Sequence, residues 1–132
     1  MIPRRQQLGM SFAPTTSLPV VLVVEDDPLV RMMALDMLEE GGFAVTEADS
    51  ADAAWTVLET DPTISAVFTD IEMPGSMNGL ELAGRVAARW PHIRLVLTSG
   101  RAVVRVQDCP RSGRFVPKPY NSGQLLSALT DP

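Results

Sequence analysis

The sequence predicts a doubly wound α/β fold: five short apolar runs, each leading toward a segment at helical spacing, form a five-stranded parallel sheet with helices on both faces. Three observations carry that prediction. The runs are rich in β-branched residues and apolar throughout rather than alternating, as parallel strands covered on both faces require. Glycine, proline and capping residues punctuate the chain between these runs and the amphipathic segments. A length of 132 residues, 45% hydrophobic and 20% charged, suits one domain with its own core and argues against disorder.

Val20 to Val24 is the first strand. Pro28 suits a first helical turn, where its missing N–H is harmless, and Leu29, Met32, Met33, Leu35 and Leu38 supply an apolar stripe expected to face the core before Gly41-Gly42 ends the helix. Phe43 to Ala48 is the second strand, and Ser50 caps a helix from Ala51 to Leu58, closed by Asp61-Pro62. Ile64 to Thr69 is the third strand. Gly79 to Trp90 carries Leu80, Leu82, Ala83, Val86, Ala87 and Trp90 at helical spacing until Pro91 stops it. Ile93 to Thr98 and Arg114 to Val116 are the last two strands. Between them Val103, Val104 and Val106 are poor helix formers, so a short or irregular fourth helix is expected. Asn121 with Gln124 three residues on caps a brief last helix, which packs Leu125, Leu126 and Leu129 inward.

Met1 to Ser17 holds Arg4, Arg5, two glutamines and two prolines without helical or strand periodicity and reads as a flexible tail, leaving 18–132 as the folded domain. The arginine pair raises the question of a twin-arginine export signal, but Leu8 to Pro14 is too short and broken to be its apolar region. Every apolar run falls far short of the roughly 20 residues a membrane helix needs. A formal net charge of −5 lacks the uniform positive footprint that neutralises nucleic-acid phosphates, so direct nucleic-acid binding is not expected. Cys109 is the only cysteine, which excludes an intramolecular disulfide and a cysteine-based zinc cluster and fits a reducing cytoplasm.

In open parallel sheets, ligands bind beyond the carboxyl ends of the strands. At those ends the sequence places Glu25, Asp26 and Asp27 after the first strand, Asp70 after the third, Thr98 and Ser99 after the fourth, and Lys118 beyond the fifth. Each alone has a plain structural reading: the acidic trio as a helix N-terminus, Asp70 as a turn or cap, Thr98 as a strand end, Lys118 as a solvated charge. Together they are the groups phosphoryl transfer needs. Crowded carboxylates raise each other's pKa values unless a cation intervenes, and magnesium suits an oxygen-rich site of this kind. An ionised aspartate there can attack phosphorus, with metal and lysine balancing the charge that develops.

Five stretches carry a family resemblance: Val-Val-Glu-Asp-Asp-Pro at 23–28, Phe-Thr-Asp-Ile-Glu-Met-Pro-Gly at 68–75, Asn-Gly-Leu-Glu-Leu at 78–82, Leu-Thr-Ser-Gly at 97–100 and Lys-Pro-Tyr at 118–120. With them the chain resembles the receiver domains of two-component response regulators, including the stand-alone chemotaxis type. The resemblance implies a flavodoxin-like sheet in the order 2-1-3-4-5. It makes Asp70 the phosphoacceptor and Glu25 with Asp26 the acidic pair that holds magnesium, or manganese in its place. Glu72 looks like the position whose backbone carbonyl completes the metal shell. Thr98 resembles the switch hydroxyl, Lys118 the lysine that pairs with the phosphoryl group, and Phe115 the switch aromatic, for which core packing is the alternative reading. A cis Lys118-Pro119 bond is implied as well.

The resemblance further implies a histidine kinase or histidine phosphotransfer protein as donor, a downstream protein as receiver of the signal, and a homodimer formed on phosphorylation. The chain carries no output domain after the last helix, so it is read as acting alone through a partner or as belonging to a longer regulator. It departs from the usual pattern at Pro117, at Glu72, at Gly100 and in the valine-rich fourth helix. Three rivals differ by identifiable features. A phosphatase of the haloacid-dehalogenase kind expects an aspartate where Glu72 stands, and a cap domain. A receiver-like module that takes no phosphate would not need the intact acceptor, acids, threonine and lysine. Flavin binding lacks a hydroxyl-rich phosphate loop after the first strand.

Overall fold

The computed structural model describes residues 18–100 and 113–131. The expected tail at Met1 to Ser17 and the valine-rich segment with Cys109 lie outside the described residues. The strands are β1 (Val20–Val24), β2 (Ala44–Ala48), β3 (Ile64–Asp70), β4 (Arg94–Ser99) and β5 (Gly113–Pro117). The helices described are α1 (Pro28–Glu40), α2 (Ala51–Thr60), α3 (Gly79–Arg89) and α4 (Ser122–Thr130), the last being the final helix expected from the sequence. All five strands are parallel, in the order β2-β1-β3-β4-β5.

Alternate residues of the strands feed two apolar layers. Leu22, Val24, Val67, Leu95 and Leu97 pack under α2 and α3 against Ala54, Leu58, Leu82 and Val86. Val21, Val23, Phe68, Val96 and Val116 pack on the other face against Ala34 and Leu38 of α1 and Leu125 and Leu129 of α4. Both faces of β1 are therefore covered, which is why its five residues are all apolar. Pro117 sits on the edge strand β5, where a missing N–H does not interrupt the interior of the sheet.

Each helix begins on a side-chain cap that satisfies otherwise unpaired N–H groups. Asp27 Oδ1 accepts from the amides of Leu29 and Val30, Ser50 Oγ accepts from Ala53, and Asn78 and Asn121 form capping boxes with Glu81 and Gln124. Trp90 is the C-cap of α3 rather than its last residue.

The apolar stripe of the first helix is corrected. Leu29, Met32 and Met33, expected to face the core, are 63%, 53% and 52% exposed, while Ala34 and Leu38 are buried. Small Ala34 lets the helix backbone lie close to the sheet. At 100° per residue, that buried pair places Leu29 and Met32 on the opposite side and Met33 on the flank.

Candidate functional site

Because β1, β3, β4 and β5 run in the same direction, their carboxyl ends meet on one rim, and the sequence loads that rim with polar groups. Glu25, directly after β1, and Asp70, the last residue of β3, are 5% and 6% exposed. Thr98 of β4 lies beside Asp70 in register and is 2% exposed. Lys118, just past β5, reaches across: its Nζ donates to Asp70 Oδ2 at 2.7 Å and to Glu25 Oε1 at 3.0 Å. The Lys118-Pro119 bond is cis.

One lysine thus serves two buried carboxylates, and Asp26 adds a third. Glu25, Asp26 and Asp70 each offer an oxygen lying within 4.8 Å of the other two, with Asp26 exposed to solvent. Burial, together with the charge of Asp70, pushes Glu25 above the ordinary carboxylate range, against the bonds it accepts from the Asp27 amide and Lys118. Burial works to lower the Lys118 pKa, but the hydrogen bonds and charges of Asp70 and Glu25 outweigh it and hold the ammonium above its usual value. The excess negative charge and all-oxygen donor set suit a hard divalent cation.

The expected rim residues do not all play one part. Asp27 turns away to cap α1. The Glu72 amide donates to Asp70 Oδ1 at 3.1 Å, whereas the Glu72 carboxylate receives the Ser99 hydroxyl. Phe115 is partly buried and packs against the layer containing Leu97. Thr98 Oγ1 stands apart from all of these, a buried hydroxyl without a hydrogen-bond partner among the described residues. Such a group is destabilising unless something arrives to satisfy it.

Three supporting residues are not among those assigned a role at the site by the sequence pattern. Arg31 of α1 donates from Nη1 to the Glu25 carbonyl at 2.7 Å and from Nε to Glu47 at 2.8 Å, fastening the acidic loop to the end of β2. A Cβ at Gly79 would collide with the Asp70 carbonyl oxygen, so α3 can start beneath Asp70 only with glycine there. Ser99 binds Glu72. Only Gly79 carried a sequence signal, its place in the Asn-Gly-Leu-Glu-Leu stretch; the partners of Arg31 and Ser99 are distant in the chain.

Beside the rim, Val30, Met33, Met37, Lys118, Pro119 and Tyr120 line an apolar groove of about 400 Å³. Tyr120 stands edge-on to Phe68 with ring centroids 5.4 Å apart. Among the described residues, no helix is long and apolar enough to cross a membrane.

Residues 21–130 match the family described as response regulator receiver domain. The response regulator protein FleR of Pseudomonas aeruginosa is 38% identical over 112 residues, which cover 83% of this chain and 23% of FleR. The response regulator receiver protein CpdR of Brucella abortus is 32% identical over 112 residues, covering 83% of this chain and 92% of CpdR. The chain thus spans under a quarter of one relative and nearly all of the other. A crystal structure of a response regulator receiver protein from Pseudomonas putida superposes with a TM-score of 0.77 at 26% identity, covering 89% of this chain and all of that one.

Proposed function

We propose, because the chain belongs to the response regulator receiver domain family, that it is a phosphorylation switch with Asp70 as its acceptor. Receiver domains are signalling switches of two-component systems rather than classical enzymes. The observation that carries the finer reading is the Thr98 hydroxyl, buried beside Asp70 and without a partner among the described residues. A phosphoryl oxygen on Asp70 gives that hydroxyl the acceptor it lacks.

In this reading a carboxylate oxygen of Asp70 attacks the phosphorus of a phosphohistidine on a histidine kinase or phosphotransfer protein. The P–N bond breaks, the imidazole leaves and takes up a proton, and an acyl phosphate forms. Lys118 balances the charge on the transferring group and then pairs with the phosphoryl oxygens. Glu25, Asp26 and Asp70, with the backbone carbonyl of Glu72, would hold magnesium or manganese. When bound, that ion offsets the carboxylate repulsion and the developing negative charge. Arg31 holds the loop that carries the first two of these acids.

Contacts that Thr98 makes only in the phosphorylated state shift the equilibrium between two surfaces, with Phe115 as the aromatic that would move with it. A donor that reaches Asp70 must cover the rim. The exposed Leu29, Met32 and Met33 and the groove beside Lys118 give such a donor an apolar landing place. His92 precedes β4, at the opposite end of the sheet, so it cannot pass a phosphoryl group to Asp70 within the chain. The domain is taken as 18–132, in a cytoplasmic setting, with a downstream protein reading the changed surface and a homodimer as one form of that output.

Intact-mass measurement after incubation with acetyl phosphate and magnesium tests this reading. The native chain is expected to gain one labile phosphate that requires magnesium, and Asp70→Asn none. No adduct on the native chain would instead support a receiver-like module that binds partners without phosphate.

A further inference from the structure

Ser99 ends β4 directly after Thr98 and is 1% exposed. Its backbone carbonyl accepts from the Lys118 amide at 3.0 Å, and its hydroxyl lies 2.6 Å from both carboxylate oxygens of Glu72. Glu72 follows Asp70 by two residues and is tied to it through its own amide. A single serine therefore joins the segment that carries the lysine to the acid beside the acceptor. Among the described residues, the carboxylates gathered within 4.8 Å of one another are those of Glu25, Asp26 and Asp70, and Glu72 is not of that group.

We propose that Ser99 is a positioning residue whose hydroxyl holds the Glu72 carboxylate out of the cation centre, so that the rim presents three carboxylates to a divalent ion instead of four. Glutamate has three side-chain torsions, and Glu72 is attached two residues from Asp70, with its amide donating to Asp70 Oδ1. A hydroxyl donating to an ionised carboxylate makes a short, charge-assisted bond that offsets the freedom lost. Released, the carboxylate adds one negative charge close to a site whose single lysine already serves two acids. A cation then binds more tightly, and an incoming anionic phosphoryl donor meets more repulsion. The latch holds cation affinity down and keeps the approach to Asp70 open. Because Thr98 is the neighbouring residue, any movement of that strand end on phosphorylation also moves the latch.

The inference rests on the cation-binding part of the function proposed above and is independent of phosphoryl transfer. It is tested by titrating magnesium chloride into the full chain by calorimetry, for the native protein, Ser99→Ala, Glu72→Gln and the double variant, with urea unfolding of each to establish folding. Ser99→Ala is expected to bind magnesium about threefold to tenfold more tightly, the scale of one solvent-screened charge. The double variant is expected to match Glu72→Gln, which keeps the Glu72 backbone carbonyl and removes the carboxylate that Ser99 would release. A purely structural serine predicts weaker binding in Ser99→Ala with or without Glu72. Binding that is unchanged or weaker in Ser99→Ala, or a double variant as tight as Ser99→Ala, overturns the latch. A native chain that binds no magnesium overturns both the latch and the cation site.

Discussion

Polar side chains at the strand ends divide into two groups that differ in what they do for the fold. Asp27, Ser50, Asn78 and Asn121 each accept a backbone amide at a helix start, so their polarity is consumed in holding the chain together. Glu25, Asp70, Thr98 and Lys118 cap no helix. They face one another, two acids share one lysine, and one hydroxyl is buried without a partner among the described residues. Glu25 and Asp27 are two residues apart and fall on opposite sides of this division. Acidity at a strand end therefore does not by itself separate the two groups; contact with one another across one rim, and a hydroxyl left without a partner among the described residues, do.

The apolar layers beneath both groups set the scale. Leu22 of β1 is fully buried in the layer under α2 and α3, and Leu22→Ala is expected to cost about 2–5 kcal/mol in urea unfolding while leaving in place the acetyl phosphate adduct expected at Asp70. The rim should behave in the opposite way toward cations. Magnesium at about a hundredfold excess over its Kd is expected to raise stability by about 2.7 kcal/mol. Asp26→Asn is expected to reduce that gain without lowering stability in its absence, since it removes an exposed carboxylate from a crowded centre. Thermal unfolding with and without magnesium reads both. The caps should show only the structural effect: Asn121→Ala is expected to cost about 1 kcal/mol in urea unfolding and to leave the mass of the acetyl phosphate adduct unchanged.

The same division explains what was legible in the sequence. Strands could be read because buried parallel strands are apolar throughout, as in Val20 to Val24. Helix starts could be read from Pro28, Ser50 and Asn121 because capping is local chemistry. Asp70, Thr98 and Lys118 were visible as the polar residues that close apolar runs. The phase of α1 was misread because large Met32 and Met33 outweighed small Ala34, whereas close packing on the sheet selects the small residue. Contacts such as Arg31 with Glu47, 16 residues apart, and Ser99 with Glu72, 27 apart, depend on strand register and helix placement that no local pattern encodes.

Urea unfolding of Thr98→Val, without phosphodonor, tests most directly whether the rim holds polarity that the fold does not use. Valine keeps the shape and strand preference of threonine and removes the one hydroxyl buried without a partner among the described residues. The variant is expected to be as stable as the native chain or more stable by up to about 1 kcal/mol. A loss of about 1 kcal/mol or more, the size expected for removing a cap, would show that the Thr98 hydroxyl already serves the fold and would contradict the account.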